Sequence, residues 1–356
     1  MLLHRTSRTN RTQLTTPRRR LAAVLTAATL GVGLLAGCGS DSEDKAGEDT
    51  PAAAGGGTFP VTVDHAFGST KITKAPKRVV TVGYTDDQTV LALGTKPVGM
   101  VDQYPNPEGK SPDINTQWPW VKDKWGDTKP EVVMKNGDSG PNYEKIASLR
   151  PDLIIAVYSE IDKAAYDKLS KLAPTVGRTK GEKELFSAPW QDNVVHISKA
   201  LGKEDEGKKI VQGVEDKLTE AKKAHPKFAK QTSVALSWYK DAINPFTSTD
   251  VRGRLLTGMG FKYQTKIDKI AGGKFSTELS PERTDLVDVD RIVVINDKAD
   301  TESLKKFKLF ANLDAVKKGN VSYLLDSEGP AVGAAMSQGT ALSLPYAIDE
   351  LVKSVE

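Results

Sequence analysis

The chain has 356 residues and a formal net charge of +4, from 50 Lys and Arg against 46 Asp and Glu. Six of the arginines and none of the acids lie in residues 1–37, so the remainder carries 44 basic and 46 acidic side chains, a net of −2. That balance gives no reason to expect a nucleic-acid partner, which needs a basic face on the folded domain. The one cysteine, Cys38, excludes an intramolecular disulfide.

The N-terminus reads first as a targeting segment. Arg18, Arg19 and Arg20 precede a charge-free apolar run, 21–34, which ends in Leu35, Ala36, Gly37 and Cys38. A basic stretch, an apolar stretch and small residues before a cut site make a secretory signal peptide. The run is shorter than the roughly 20 residues a spanning helix needs. Its small-small-Cys ending resembles a bacterial lipobox, whose thiol takes up diacylglycerol before cleavage leaves cysteine as the new N-terminus. Residues 1–37 are therefore expected to be a lipoprotein signal peptide and Cys38 a lipidated residue. With that thiol used, thiolate metal sites and cysteine nucleophiles are excluded as well. Segment 38–57, rich in Ser, Asp, Glu, Ala and Gly, continues as a flexible tether, because it holds no large apolar residue to offset ordering entropy.

Beyond the tether, strands and helices alternate. Residues 77–82 form a β-branched run, 87–93 a helix stopped by Gly94, and 97–101 the next strand. A helix over 143–149 halts before Pro151, as the restriction on pre-proline residues requires. The continuous apolar run 152–157 suits a strand covered on both faces. A helix over 165–172 and a strand over 174–176 follow. Later strands are expected at 233–238, 291–295 and 320–325, with helices at 252–259, 307–312 and 343–355. Between the two sets, 191–224 is helix-permissive and broken only around Gly202 and Gly207. There Ile210, Val214, Leu218 and Ala221 make one apolar stripe, and His225-Pro226 ends the helix.

This pattern predicts an α/β protein of two lobes. Each has a mainly parallel sheet flanked by helices, one long helix joins them, and a ligand cleft lies between. The first lobe is expected over 58–188, the helical connection over 189–228 and the second lobe over 229–356. A packed helix resists bending, so lobe movements are expected to be small.

Several segments carry a family resemblance. They are Lys74 to Val80, Leu91 to Gly99, Asn142 to Ile155, Leu169 to Thr175, Ala200 to Glu204 and Leu344 to Leu351. With them the chain resembles solute-binding proteins of ABC importers for ferric siderophores, haem and cobalamin, from Val61 to the C-terminus. Within that family it looks like the actinobacterial binders of hydroxamate, ferrioxamine-type chelates. The resemblance implies no enzyme activity and no permanent cofactor. It implies a permease dimer with its ATPase as partner, a monomeric binder, and an exposed glutamate on each lobe that docks into permease arginines. By motif position these are Glu144 and Glu282. The lipid anchor then suggests the outer face of the cytoplasmic membrane in a Gram-positive cell.

Cleft candidates are residues at strand ends and in the loops that follow: Tyr84, Gln88, Tyr104, Tyr158, Trp190, Trp238, Phe246 and Arg252. Aromatic walls suit a bulky chelate, and an arginine can pair with iron-bound oxygens. One arginine among many aromatics leans toward a neutral or cationic trihydroxamate over a trianionic tricatecholate. Trp118, Trp120 and Trp125 either cap the cleft or pack beneath it. His65, His196 and His225 fall in different elements, which disfavours direct metal coordination. Gly137-Asp138-Ser139-Gly140 mimics a serine-protease loop but reads as a turn, since the surrounding α/β pattern is wrong for that chemistry. The competing functions are the same fold binding haem or cobalamin, and a surface lipoprotein enzyme or adhesion module.

Overall fold

The computed structural model describes residues 57–104 and 114–355. Cys38, the signal segment and 39–56 of the tether lie outside the described residues. An antiparallel hairpin of β1 (Val61–His65) and β2 (Gly68–Ile72) comes first. The first lobe runs β3 (Val79–Thr81), α1 (Asp86–Ala92), β4 (Gly99–Asp102), α2 (Ile114–Gln117), α3 (Lys122–Trp125) and β5 (Glu131–Lys135). It continues with α4 (Tyr143–Ser148), β6 (Leu153–Ala156), α5 (Lys163–Ser170) and β7 (Thr175–Gly177). Its strands pair in parallel in the order β5-β4-β3-β6-β7. Successive side chains of a strand point to opposite faces. Leu153 and Ile155 accordingly pack with Val79, Val90 and Ile197, while Ile154 and Ala156 pack with Val80, Ile146 and Leu169. The doubly covered sheet is why this stretch is apolar without alternation.

Two helices lead to the second lobe, α6 (Trp190–Ala200) and α7 (Glu204–Ala224). At 21 residues, α7 is about 31 Å long. Gly202 takes a left-handed φ of 69° between the two helices, a conformation glycine adopts without steric cost. The second expected break does not occur. Gly207 lies inside α7, where an added Cβ would come within 2.0 Å of Ser198 Oγ on α6. That glycine serves close helix contact and not interruption.

The second lobe comprises β8 (Thr232–Tyr239), β9 (Ala242–Pro245), α8 (Val251–Gly258), β10 (Lys262–Tyr263), α9 (Lys266–Ala271) and β11 (Arg291–Asn296). Then come α10 (Lys298–Lys306), α11 (Lys308–Ala311), α12 (Asp314–Lys317), β12 (Val321–Leu325), α13 (Val332–Gln338) and α14 (Ser343–Val355). Strands β10-β8-β11-β12 are parallel, and β9 folds back antiparallel on β8. The architecture is two α/β lobes with mainly parallel, helix-flanked sheets.

One apolar core crosses the lobe boundary. Leu91, Met100, Trp118, Trp120 and Trp125 of the first lobe belong to the same cluster as Leu236, Ile295, Met336 and Leu344 of the second. Trp118, Trp120 and Trp125 are all buried and belong to this shared core. Trp118 and Trp120 meet edge-on at 4.7 Å between centroids.

Candidate ligand cleft

The first lobe builds its wall from the carboxyl ends of its strands, where α/β sheets place ligands. Tyr84 follows β3, Gln103 and Tyr104 follow β4, Asn136 follows β5, and Tyr158 and Glu160 follow β6. Phe186 comes from the loop after β7. The facing wall is Asp250 and Arg252 at the start of α8, Phe275, and Ser337 of α13. Together they enclose an open cavity of about 270 Å³.

Asp86 fixes the base of this wall. Its carboxylate accepts from Val157 N at 2.7 Å and Tyr158 N at 3.0 Å, joining the start of α1 to the end of β6. Gly83 leaves the room, since a Cβ there would fall 2.1 Å from Asp86 Oδ2. Burial pushes the Asp86 carboxyl up to about 6.

The phenols are neutral hydrogen-bonding groups. Tyr84 OH donates to Glu160 Oε2 at 3.1 Å, and burial followed by the Glu160 charge pushes that phenol up to about 12. Burial also raises Tyr104 and Tyr158. Arg252 is already partnered. Its Nη1 reaches Asp250 Oδ1 at 3.0 Å, its Nε donates to Ser337 Oγ at 3.2 Å, and its guanidinium lies 3.9 Å over the Phe246 ring. Two acids, Glu160 and Asp250, therefore face one arginine in the lining, a formal net of −1. Just behind, Asp326 is close enough to influence Tyr104, and its Oδ1 has no partner among the described residues. Gln103 Oε1 is likewise buried and unpartnered among them.

Of the sequence candidates, Tyr84, Tyr104, Tyr158 and Arg252 line the cavity. Four others lie elsewhere. Gln88 is buried between the lobes, where its Nε2 donates to Gln338 Oε1 and its Oε1 accepts from Thr340 Oγ1 at 2.6 Å and Trp120 Nε1 at 3.1 Å. It faces inward because α1 turns that side toward α13. Trp190 opens α6 and borders a second, smaller pocket of about 30 Å³. Trp238 points into the second-lobe core, 5.0 Å from Phe307. Phe246 is buried beneath the Arg252 guanidinium. Strand-end position alone does not say which way a side chain turns.

Gln103, Asn136, Glu160, Phe186, Asp250, Phe275 and Ser337 were absent from the sequence candidates. The strand-end rule reaches Gln103 and Glu160, neighbours of tyrosines it selected. Phe186 and Phe275 sit in irregular loops that no periodicity marks. Glu144, in the first turn of α4, and Glu282, in a 3₁₀ turn over Pro281–Val287, are both exposed. His65 and His196 are nearer than their separation in sequence implies. Burial and then His196 push His65 down to about 4, and His65 Nε2 meets Thr70 Oγ1 at 3.0 Å. No group of three or more potential metal-binding side chains converges among the described residues.

Comparison with known proteins agrees with this architecture. The family model for periplasmic binding proteins matches residues 79–328. Bacillus subtilis YhfQ, assigned as an ABC transporter substrate-binding lipoprotein, is 30% identical over 320 residues, covering 86% of this chain and 90% of that one. The Fe(3+)-citrate-binding protein YfmC of Bacillus subtilis is 30% identical over 256 residues, covering 71% and 75%. Among solved structures, Streptococcus pneumoniae PiaA in complex with ferrichrome superposes with a TM-score of 0.68 at 28% identity, covering 83% and 97%. The chain belongs to the periplasmic binding protein family and is a substrate-binding protein, not an enzyme.

Proposed function

We propose that this protein is a lipid-anchored solute-binding protein on the outer face of the cytoplasmic membrane, in a Gram-positive cell. It captures a ferric siderophore and delivers it to an ABC permease and its ATPase. The ligand class is a neutral or cationic ferric trihydroxamate of the ferrioxamine type, and Cys38 carries the anchor. One observation carries the ligand class: the cleft is walled by three neutral tyrosines with a formal charge of −1, and Asp250 already engages its arginine. A polyanionic chelate would meet like charge there, which costs affinity and slows encounter. The relatives bind chelates of differing chemistry, ferric citrate in one case and ferrichrome in another. The charge of this chain's own cleft therefore weighs more than either name.

The test is a tryptophan-fluorescence titration of residues 39–356 with ferrioxamine B, ferrichrome, ferric citrate, ferric enterobactin, haem and cobalamin. Saturable quenching by ferrioxamine B, at least tenfold tighter than by the anionic chelates, is the expected result. Tighter binding of ferric citrate or ferric enterobactin overturns the charge reading. Tighter binding of haem or cobalamin, or a flat response throughout, overturns the siderophore assignment.

A further inference from the structure

Between β7 and α6 the chain makes a loop, 178–189, that belongs to the first lobe yet is fastened to the second. Phe186 within it has a φ of 65°, a strained left-handed conformation that a bulky residue keeps only where its surroundings impose it. Two groups hold it. The backbone amides of Ala188, Phe186 and Ser187 lie about the half-buried Glu182 carboxylate and counter the rise that burial imposes on it. From the other lobe, Arg254 on α8 donates through Nη2 to Ser187 O at 2.9 Å. A local turn, Ser187 Oγ to Glu184 O at 2.7 Å, closes the loop on itself.

The outcome is a placed ring. Phe186 stands 4.7 Å from Tyr158 and 6.0 Å from Tyr84 between ring centroids. Like Tyr158, it lines both the open cavity of about 270 Å³ and a smaller pocket of about 30 Å³ beside it. The Phe186 and Tyr158 rings thus stand together between the two spaces, and Phe186 is the one that the loop supplies.

We propose that Phe186 is a specificity-determining wall of the ligand cleft and that Arg254 is a positioning residue, acting through Ser187 to hold that wall from the opposite lobe. This rests on the proposed chelate-binding role of the cleft. Arg254 borders the smaller pocket and not the open cavity, whereas Arg252, two residues earlier on α8, lines the cavity. The two arginines divide the work: one lines the cleft and the other fastens the loop.

The mature chain and its Phe186→Ala, Arg254→Met, Arg254→Lys and doubly substituted (Phe186→Ala with Arg254→Met) forms test this. All four variants must first match the parent in circular dichroism and melt cooperatively. In the ligand-free protein, Arg254→Met is expected to speed amide hydrogen exchange at 184–188, with Arg254→Lys recovering part of the protection. Unchanged exchange there overturns the strap. With ferrioxamine B as probe, Phe186→Ala and Arg254→Met are each expected to weaken binding about tenfold, close to one aromatic contact. Arg254→Met should add less than about twofold in the Phe186→Ala background, because residues acting through one another are non-additive. Additive losses overturn the positioning role, and an unchanged affinity in Phe186→Ala overturns the wall. A parent chain that binds no chelate fails the proposed function instead, and the exchange result alone then decides whether Arg254 holds the loop.

Discussion

Two adjacent carboxyls, Asp86 and Asp87, are buried at the start of α1. Burial, and then the neighbouring Asp86, push Asp87 up to about 8, against 3.8 for a free side chain. Between those values the folded chain holds a proton that the unfolded chain has released, so stability falls as pH rises through that window. The contribution is whole below about pH 4 and gone above about pH 8. Asp87→Asn keeps the shape and removes the ionisation. It should change the melting temperature little at pH 4, raise it progressively from there to about pH 8, and level off above that. A shift of equal size at every pH would refute this account. His65 works in the opposite direction, since a histidine held near 4 loses stability as pH falls from 6.5 toward that value.

At the scale of elements, the crossing of α6 and α7 fixes how the lobes are joined. Glycine in a helix interior costs about 1 kcal/mol relative to alanine, so Gly207 needs a compensating reason. Ser198 supplies it: its Cβ would lie 2.5 Å from an alanine Cβ at position 207. Overpacking of that kind costs about 1–3 kcal/mol and outweighs the gain in propensity. Gly207→Ala should therefore lower stability to denaturant, and Ser198→Gly in the same chain should recover part of the loss. A more stable Gly207→Ala protein would show that the helices separate freely. The apolar stripe of α7 was legible because Ile210, Val214, Leu218 and Ala221 repeat at helical spacing. The role of Gly207 was not, because a glycine demanded by a neighbour looks the same in sequence as one that ends a helix.

For the whole molecule, we infer that the core shared between the lobes keeps lobe movement small. The Gln88, Gln338, Thr340 and Trp120 cluster adds polar bonds across the same boundary. Such stiffness would suit the docking that the family resemblance implies and that we propose here, in which Glu144 and Glu282 present carboxylates from separate lobes to permease arginines, where paired hydrogen bonds give orientation as well as affinity. Both side chains are exposed, so replacing them should disturb stability by no more than about 0.5 kcal/mol. The Glu144→Ala, Glu282→Ala double variant should bind its chelate with unchanged affinity and fail to support iron uptake in cells. Normal uptake would remove these residues from the docking surface, and lost binding would move them into the ligand site.

The alternation of strands and helices, the doubly covered run at β6, the long amphipathic α7 and the strand-end positions of Tyr84, Tyr104 and Tyr158 were all readable along the chain. Each is a local pattern imposed by backbone periodicity and burial. Which aromatics of the strand ends and loops turn into the cleft was decided by tertiary packing, which drew Trp190 and Trp238 into the core and left Phe186 at the wall. The charge of the cleft was decided there too, because Asp250 and Arg252 pair only once α8 sets them side by side. Spacing along a chain constrains which face a residue occupies. Only the packed fold determines what stands opposite it.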